Sequence, residues 1–347
     1  MPSPQPAVPA LSPLPLMHLA TGFWAFKALA SANELGLFGL LDRMGGATVE
    51  ECAEELEVSA RPAGMLLTAC TALGLLQRRP DRRFVNSALA DAYLVPGRPY
   101  HFGGWVRMLD QRLYPGWGKL TEAVRNNRPT TWDPETQPHL FNTEDPDLLS
   151  VFWEAMHAVS SWTAQRLGSV VDLASRSRLL DVGGGSGAYA IELCRRHPDL
   201  RATVYDLPGV CPAAARNAEA AGLADRIATF PGDFLAEPAL PGGHDVIVLS
   251  MILHDWDEET NRTLLGKCYA ALPPGGELVI SELMVDDDLT GPATAALMSL
   301  NMLVETEGGR NYTAAQYADW LTDAGFTHTR KVPMEAPGAN AALVAVR

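Results

Sequence analysis

From residue 178 onward, short runs rich in β-branched residues alternate with longer amphipathic stretches, and this alternation restricts the fold more than any other feature of the sequence. The runs are RLLDV, ATVYD, IATFPGD, DVIVLS and GELVIS. Helices are predicted between them, over 186–196, 209–222 and 258–272. Strands that alternate with helices are typical of α/β proteins with a doubly wound parallel sheet. A last pair of runs, THTRKVPM and ALVAVR, predicts a hairpin at the edge of this sheet.

The first run leads into a glycine-rich loop within LLDVGGGSGAYA, residues 179–190. In an open α/β sheet, ligands bind at the carboxyl ends of the strands, and glycines there let the backbone approach a ligand closely. The loop reads as GxGxG, but Gly183, Gly185 and Ala188 also fit the looser GxGxxA fingerprint of dinucleotide sites. Taken alone, the loop leaves open a dinucleotide, another nucleoside-containing ligand and a purely structural turn.

Polar and aromatic residues follow three later runs at the same predicted edge. Asp206 ends the second run, where a carboxylate can accept two hydrogen bonds from a ribose diol; a helix N-cap is the alternative. Asp233 and Phe234 follow the third run, and an acid beside an aromatic ring suits adenine; a turn with a core Phe is the alternative. His254 follows the fourth run and faces the predicted crevice, so we interpret it as a catalytic candidate.

The first half of the chain is predicted to be mainly helical. A helix over 17–42 is apolar on several faces, which favours contact with a second subunit. Thr48 and Glu51 have the spacing of a capping box, and two helices followed by a hairpin around Pro80 form a winged-helix pattern. A polar, proline-rich stretch at 125–148 predicts the join between domains, and a helix from about 148 to 174 follows.

Charge and cysteine content exclude several classes of protein. The formal net charge of -14 argues against binding to nucleic acid through the winged helix, and against an anionic membrane surface. The acidic winged helix therefore disfavours a DNA-binding regulator as a non-enzymatic alternative. Five dispersed cysteines without a CxxC pair indicate reduced thiols in the cytoplasm and argue against zinc. No run of 18 apolar residues predicts a transmembrane helix.

Several segments occur together in the order and spacing of one enzyme family: LLDVGGGSG, VYDLPGV, FPGDF, LHDWDEE, LPPGGELVISE and GGRNYT. Over about residues 15–347, the chain resembles class I S-adenosylmethionine-dependent O-methyltransferases of the plant caffeic acid and hydroxyindole type, with their bacterial antibiotic-tailoring relatives. The resemblance implies a Rossmann-like catalytic sheet, S-adenosylmethionine as cofactor with S-adenosylhomocysteine as product, and no metal. It also implies a homodimer in which each N-terminal helix helps to close the partner's substrate pocket.

The implied reaction is methylation of a hydroxyl on a small aromatic, phenolic metabolite in natural-product biosynthesis. Carbon methylation of an aromatic or α-keto acid substrate on the same scaffold is the alternative. The corresponding domain division is a flexible leader at 1–14, a winged-helix-like dimerisation domain at 15–125, linking helices lining the substrate pocket at 126–175, and the cofactor-binding catalytic domain at 176–347. The leader lacks the basic and apolar regions of a signal peptide.

The resemblance also assigns individual positions. It makes His254 the general base and Glu282 the acid that orients it, with Gly183 and Gly185 beside the methionine part of the cofactor. The remaining cofactor positions are Asp206, Leu207, Asp233, Phe234, Ser250 and Trp256. For the substrate, we choose aromatic, methionine and amide side chains that suit a flat ring, namely Phe152, Met156, Trp153, Asn301 and Met302.

One position departs from the family pattern. Many members carry a glutamate as a second acid beside the histidine, whereas this chain has Asn311 in that place. An asparagine can orient an imidazole but cannot offset its charge. We expect Asn311 to belong to the catalytic site, with Glu305 and Glu307 as candidates for the missing acid. The departure also keeps carbon methylation open.

Overall fold

The computed structural model describes residues 11–136 and 146–347. The chain divides into two units, Met1–Asp110 and Gln111–Arg347. Of the predicted leader, residues 1–10 lie outside the described residues, as do 137–145 of the predicted join between domains. The four-segment domain division stays a prediction.

The first unit is helical with one small hairpin. Its elements are α1 Leu14–Glu34, α2 Leu37–Met44, α3 Val49–Glu55, α4 Ala60–Ala72, β1 Leu76–Arg78, β2 Phe84–Asn86, α5 Ala88–Tyr93 and α6 Gly103–Met108. Thr48 and Glu51 form the predicted capping box at the start of α3. The strands β1 and β2 pair antiparallel, which confirms the predicted hairpin.

The single helix predicted over 17–42 is wrong, because two helices occupy this segment. Gly36 stands between α1 and α2 with a φ of +71°, a conformation that glycine adopts without steric cost. The apolar periodicity continues across this break, so it hides the end of α1.

The second unit contains a three-layer α/β domain. After a π-helical turn at Leu109–Leu113, the elements are α7 Tyr114–Trp117, α8 Leu120–Asn126, α9 Pro146–Val170, β3 Arg178–Val182, α10 Ala188–Arg196, β4 Arg201–Asp206, α11 Cys211–Ala220, β5 Ile227–Pro231, β6 Val246–Ser250, α12 Glu258–Ala271, β7 Glu277–Glu282, α13 Ala293–Glu305, α14 Ala314–Ala324, β8 Thr327–Ala336 and β9 Ala339–Val346. A short 3₁₀ turn, Leu253–Asp255, follows β6.

The sheet has seven strands in the order β5-β4-β3-β6-β7-β9-β8. The strands β3 to β7 are parallel, and the pair β8 and β9 joins antiparallel at the β7 side. Buried apolar clusters cover both faces, as a parallel sheet requires. The predicted α/β class and the terminal hairpin are confirmed. The carboxyl ends of β3, β4, β6 and β7 therefore meet at one edge.

None of the described helices is both long and apolar enough to cross a membrane. Within the same described ranges, no cluster of three or more His, Cys, Asp or Glu side chains could hold a metal ion. The cysteines are all buried and free.

Candidate active site

The glycine loop follows β3 and packs against two bulky side chains. Gly183 and Gly185 have φ values of +65° and +55°, in the left-handed region that favours glycine. A Cβ at Gly183 would overlap Ile252, and one at Gly185 would lie 2.7 Å from Cζ3 of Trp153. Glycine is thus required at both positions for conformation and for space.

Asp206 is the last residue of β4, and its carboxylate stabilises the glycine loop through hydrogen bonds. Its Oδ2 accepts a hydrogen bond from the Gly185 N–H at 2.7 Å, and its Oδ1 accepts one from the Leu207 N–H at 2.7 Å. Burial raises the pKa of Asp206 to about 6, while these two backbone donors act in the opposite direction. The next helix, α11, has Val210 at its N-cap, so Asp206 is not the cap of that helix. Each carboxylate oxygen keeps a second lone pair for a ligand hydroxyl.

Of the residues predicted around adenine, Phe234 lies next to the glycine loop. Phe234 and Trp256 pack edge to face, with ring centroids 6.0 Å apart. A Cβ on Gly183 would stand 3.7 Å from Cε1 of Phe234, so one ring flanks the loop. The Oδ1 of Asp233 accepts a hydrogen bond from the Leu235 N–H at 2.8 Å.

Lys267 holds the Phe234 segment by donating to the carbonyls of Phe234 and Glu237 at 2.7 and 2.6 Å. The sequence analysis missed this lysine because it lies on α12, far from any recognisable motif. Ser250 is the last residue of β6 and pairs in register with Ser281 of β7.

His254 and Glu282 form a buried pair across the ends of two strands. The imidazole Nδ1 lies 2.7 Å from Glu282 Oε2. The other carboxylate oxygen, Oε1, accepts hydrogen bonds from the N–H groups of Ile252 and Leu253 at 2.9 and 3.0 Å. Glu282 thus holds both the ring and the backbone turn that carries it. When the Nδ1–H donates to the Glu282 carboxylate, Nε2 is left as the basic atom of the ring.

A second acid, Asp255, lies beside that basic atom, with its Oδ1 3.5 Å from His254 Nε2. Burial alone favours the neutral imidazole, but the carboxylates of Glu282 and Asp255 outweigh it and raise the pKa of His254 to about 9. Burial raises the pKa of Asp255 to about 7, the charge of His254 opposes that rise, and Glu282 and Glu305 add to it.

Asn311 lies near this pair without a hydrogen bond to His254 among the described residues. Its Nδ2 donates to the carbonyl of Leu283 at 2.6 Å, next to Glu282. Its Oδ1 is buried and has no hydrogen-bond partner in the part of the chain that the structure describes. The role of Asn311 at the catalytic site stays a prediction.

The two alternative acids differ in their surroundings. Glu305 is buried and accepts a hydrogen bond from Arg112 Nε at 3.2 Å, whereas Glu307 is exposed. The sequence analysis missed Arg112, because the residue lies in a π-helical turn that no apolar pattern announces.

The predicted substrate residues lie on α9 and α13. Phe152 and Trp153 pack edge to face with centroids 5.1 Å apart, and Met156 is half-buried on the same helix. Asn301 and Met302 are buried on α13, where the side-chain oxygen of Asn301 accepts a hydrogen bond from Trp117 Nε1 at 2.8 Å. Their contact with a substrate stays a prediction.

Comparison with known proteins identifies the family. An O-methyltransferase domain matches residues 117–327, and an O-methyltransferase dimerisation domain matches residues 17–96. A 3-hydroxy-5-methyl-1-naphthoate 3-O-methyltransferase from Streptomyces sahachiroi is 51% identical over 335 residues, covering 96% of this chain and 95% of the relative. The tetracenomycin polyketide synthesis 8-O-methyl transferase TcmO from Streptomyces glaucescens is 35% identical over 322 residues, covering 93% and 94%.

Comparison with solved structures gives the same family. The crystal structure of human N-acetylserotonin methyltransferase in complex with S-adenosylmethionine matches with a TM-score of 0.87 and 30% identity, covering 98% of this chain and 99% of that one. That cofactor suits the site described above, with its glycine loop, Asp206 at the end of β4 and the buried His254–Glu282 pair. The chain therefore belongs to the S-adenosylmethionine-dependent O-methyltransferases that combine a Rossmann-like catalytic domain with an N-terminal dimerisation domain.

Proposed function

We propose that this protein transfers the methyl group of S-adenosylmethionine to a hydroxyl of a small aromatic metabolite, with His254 as the general base. The observation that carries the proposal is the buried His254–Glu282 pair at the strand edge that also holds the glycine loop. One Streptomyces relative is named for a hydroxylated naphthoate and the other for polyketide synthesis, which supports a phenolic substrate and a place in natural-product biosynthesis.

Different residues of the predicted set would bind different parts of the cofactor. The backbone of Gly183 and Gly185 would approach the methionine part, and the carboxylate of Asp206 would accept from the ribose hydroxyls. The ring of Phe234, set against Trp256, would pack on the adenine. Leu207, Asp233 and Ser250 complete the proposed cofactor set. When bound, S-adenosylmethionine supplies an electrophilic methyl group.

The base has the basicity that a phenol requires. A phenol has a pKa of about 10 and an ordinary histidine about 6.5, so proton transfer to such a histidine is uphill by about 5 kcal/mol. The carboxylates of Glu282 and Asp255 raise the pKa of His254 to about 9, so the pKa gap to a phenol becomes much smaller and proton transfer is far less uphill. Glu282 and Asp255 stabilise the imidazolium that results, and Glu282 fixes the ring so that Nε2 receives the proton.

Replacing His254 by Ala tests this role. We expect kcat for phenolic acceptors to fall by about 10²–10⁴-fold, the usual contribution of a general base. Binding of S-adenosylhomocysteine, measured by calorimetry, should persist, because the ring donates to no predicted cofactor residue. Unchanged turnover of the variant would sink the role of His254.

Carbon methylation is the second candidate, favoured by Asn311 in place of the second acid. The two reactions give different products from one acceptor. With ¹³C-labelled methyl donor, NMR of the product separates them, because an O-methyl and a C-methyl carbon differ widely in chemical shift. A labelled signal in the C-methyl region would replace the first proposal by the second.

We also propose that the protein is a homodimer formed through its N-terminal unit and resides in the cytoplasm. The helix α1 exposes a set of large apolar side chains: Leu14, Leu16, Met17, Leu19, Phe23 and Trp24. Water contact with that much apolar area is unfavourable, so a partner subunit is expected to cover it. The free cysteines support a reducing compartment.

A further inference from the structure

Arg112 is a buried cation that the mechanism above does not use. It lies in the π-helical turn Leu109–Leu113, a kind of helix that is frequent at functional sites. Its side chain is 10% exposed, and its Nε donates to Glu305 Oε1 at 3.2 Å. Among the described residues, the guanidinium makes no other hydrogen bond. Within residues 11–136 and 146–347, Nη1 and Nη2 therefore keep N–H groups that can donate to a ligand, on a side chain that is mostly shielded from water.

Contacts connect Arg112 to the glycine loop on one side. Its guanidinium carbon lies 5.9 Å from the centre of the Phe152 ring. Phe152 packs on Trp153, and Trp153 covers Gly185. Arg112 therefore stands beside the aromatic pair assigned to the substrate, one ring away from the loop assigned to the cofactor.

Charges connect Arg112 to the base as well. Its partner Glu305 has a side chain that is 6% exposed. Burial and the charges of Glu282 and Glu305 raise the pKa of Asp255, which places Glu305 within electrostatic reach of that acid. Asp255 lies 3.5 Å from Nε2 of His254. The Arg112–Glu305 pair is thus linked to the proposed base through the charges of Glu305 and Asp255.

We propose that Arg112 binds a carboxylate of the acceptor, so that the protein selects hydroxylated aromatic carboxylic acids over neutral phenols. This inference rests on the proposed function. The planar fork of Nη1 and Nη2 matches two carboxylate oxygens, while Nε stays on Glu305. A neutral hydroxyl or ketone offers one oxygen and no charge, so it satisfies the guanidinium less well. The naphthoate in the name of the Streptomyces sahachiroi relative is an acid of this class.

The experiment compares three probes: 3-hydroxy-1-naphthoic acid, its methyl ester and 2-naphthol, which lacks the carboxyl group. Methylation of each is followed by mass spectrometry for the wild-type protein and for Arg112→Leu. We expect the wild type to prefer the acid, and Arg112→Leu to lower the ratio of kcat/KM for acid over ester by about 10–100-fold, as expected when a hydrogen-bonded charge pair is lost. Arg125→Leu, which removes an exposed arginine on α8, should leave the ratio unchanged.

The variant Glu305→Gln is expected to change binding of the acid probe in the opposite direction, toward tighter binding. Removing the competing carboxylate frees the guanidinium, so we expect the acid probe to bind more tightly in the presence of S-adenosylhomocysteine, by about 3–10-fold. A merely structural role for the pair predicts that both variants weaken binding of acid and ester alike. The double variant Arg112→Leu with Glu305→Leu removes both buried charges and serves if the single leucine variant does not fold.

The outcomes distinguish a failure of the proposed function from a failure of the assignment of Arg112. Methylation of none of the probes by the wild type contradicts the proposed function for this acceptor class. Methylation of all probes with an acid-to-ester ratio that Arg112→Leu leaves unchanged overturns the assignment of Arg112 alone. A wild-type preference for the ester or for 2-naphthol overturns it as well.

Discussion

At the scale of single residues, the acids around His254 decide how it can react. A buried imidazole without partners is a weaker base than one in water, because burial disfavours the cation. Here Glu282 and Asp255 reverse that effect and raise the pKa of His254 to about 9. Two acids thus act on His254 in this chain, while Asn311 carries no charge.

The raised pKa of His254 predicts how the activity of the enzyme changes with pH. A base acts in its deprotonated form, so kcat/KM for a phenolic acceptor should rise with pH and level off near 9, well above the ordinary histidine value of about 6.5. Glu282→Gln removes the nearest carboxylate, and we expect this limb to move to lower pH and the plateau to fall. Rates measured at saturating S-adenosylmethionine from about pH 6 to about pH 10 cover both the ordinary and the raised pKa of the histidine, and they test both effects.

The exposed acid Glu307 provides the matched control. Glu307→Gln removes a carboxylate from the same chain segment as Glu305, but one that is exposed and therefore screened by water. Its pH profile should coincide with that of the wild type. A Glu282→Gln profile with an unmoved limb would show that another group controls the rate.

At the scale of secondary-structure elements, the site is predictable where it follows the strands. The runs that predict β3, β4, β6 and β7 end at the residues that the structure brings together, since parallel strands share a carboxyl edge. The sequence analysis missed α13 and the π-helical turn before α7. These two elements carry Glu305 and Arg112, whose 3.2 Å contact joins positions 193 apart in the chain.

The contact between Arg112 and Glu305 could not be predicted from the sequence for a physical reason. A pair that distant is held by tertiary packing, for which local periodicity carries no signal. The break at Gly36 was missed for the opposite reason, because local apolar periodicity continues through a point where the backbone turns. Motif residues are thus predictable as single positions, whereas their supports on other elements are not.

The junction of the glycine loop with α9 gives a prediction at this scale. Gly185→Ala introduces a Cβ at a φ of +55° and 2.7 Å from the Trp153 ring. The left-handed conformation alone costs a non-glycine residue about 1–2 kcal/mol, so the loop should shift and the Kd for S-adenosylhomocysteine should rise about 10-fold or more.

Two further variants interpret that result. Gly266→Ala adds a Cβ to an exposed helical glycine with nothing within 4 Å, and it should leave cofactor affinity unchanged. Adding Trp153→Ala to Gly185→Ala removes the clash but not the strain, so we expect partial recovery. Full wild-type affinity in the single Gly185→Ala variant would contradict the close packing of Trp153 on the loop.

At the scale of the whole molecule, the two units have different tasks. The second unit carries the residues assigned to cofactor, base and acceptor. The first has a winged-helix pattern, yet the net charge of -14 and the acidic α3 make a phosphate backbone a poor ligand for it. What the first unit does present is the exposed apolar row on α1, and the homodimer proposal assigns this row to a partner subunit.

The homodimer proposal therefore makes a prediction about α1. Phe23 and Trp24 are adjacent, exposed and packed edge to face at 6.1 Å. A charge in a covered apolar surface is strongly unfavourable, so Trp24→Glu should shift the protein toward monomer in light scattering coupled to size exclusion, with the Kd of the dimer raised by about 100-fold or more. Val124→Glu charges an equally exposed apolar position in the second unit and should leave the dimer intact.

Activity of the separated subunits then tests whether the partner's helix completes the substrate pocket. If it does, monomeric Trp24→Glu binds S-adenosylhomocysteine normally, because the cofactor residues lie in the second unit, while KM for the acceptor rises and turnover falls at low protein concentration. Raising the protein concentration should restore turnover by mass action. A monomeric variant with wild-type kinetics would restrict α1 to assembly, and a wild-type protein that runs as a monomer would refute the dimer itself.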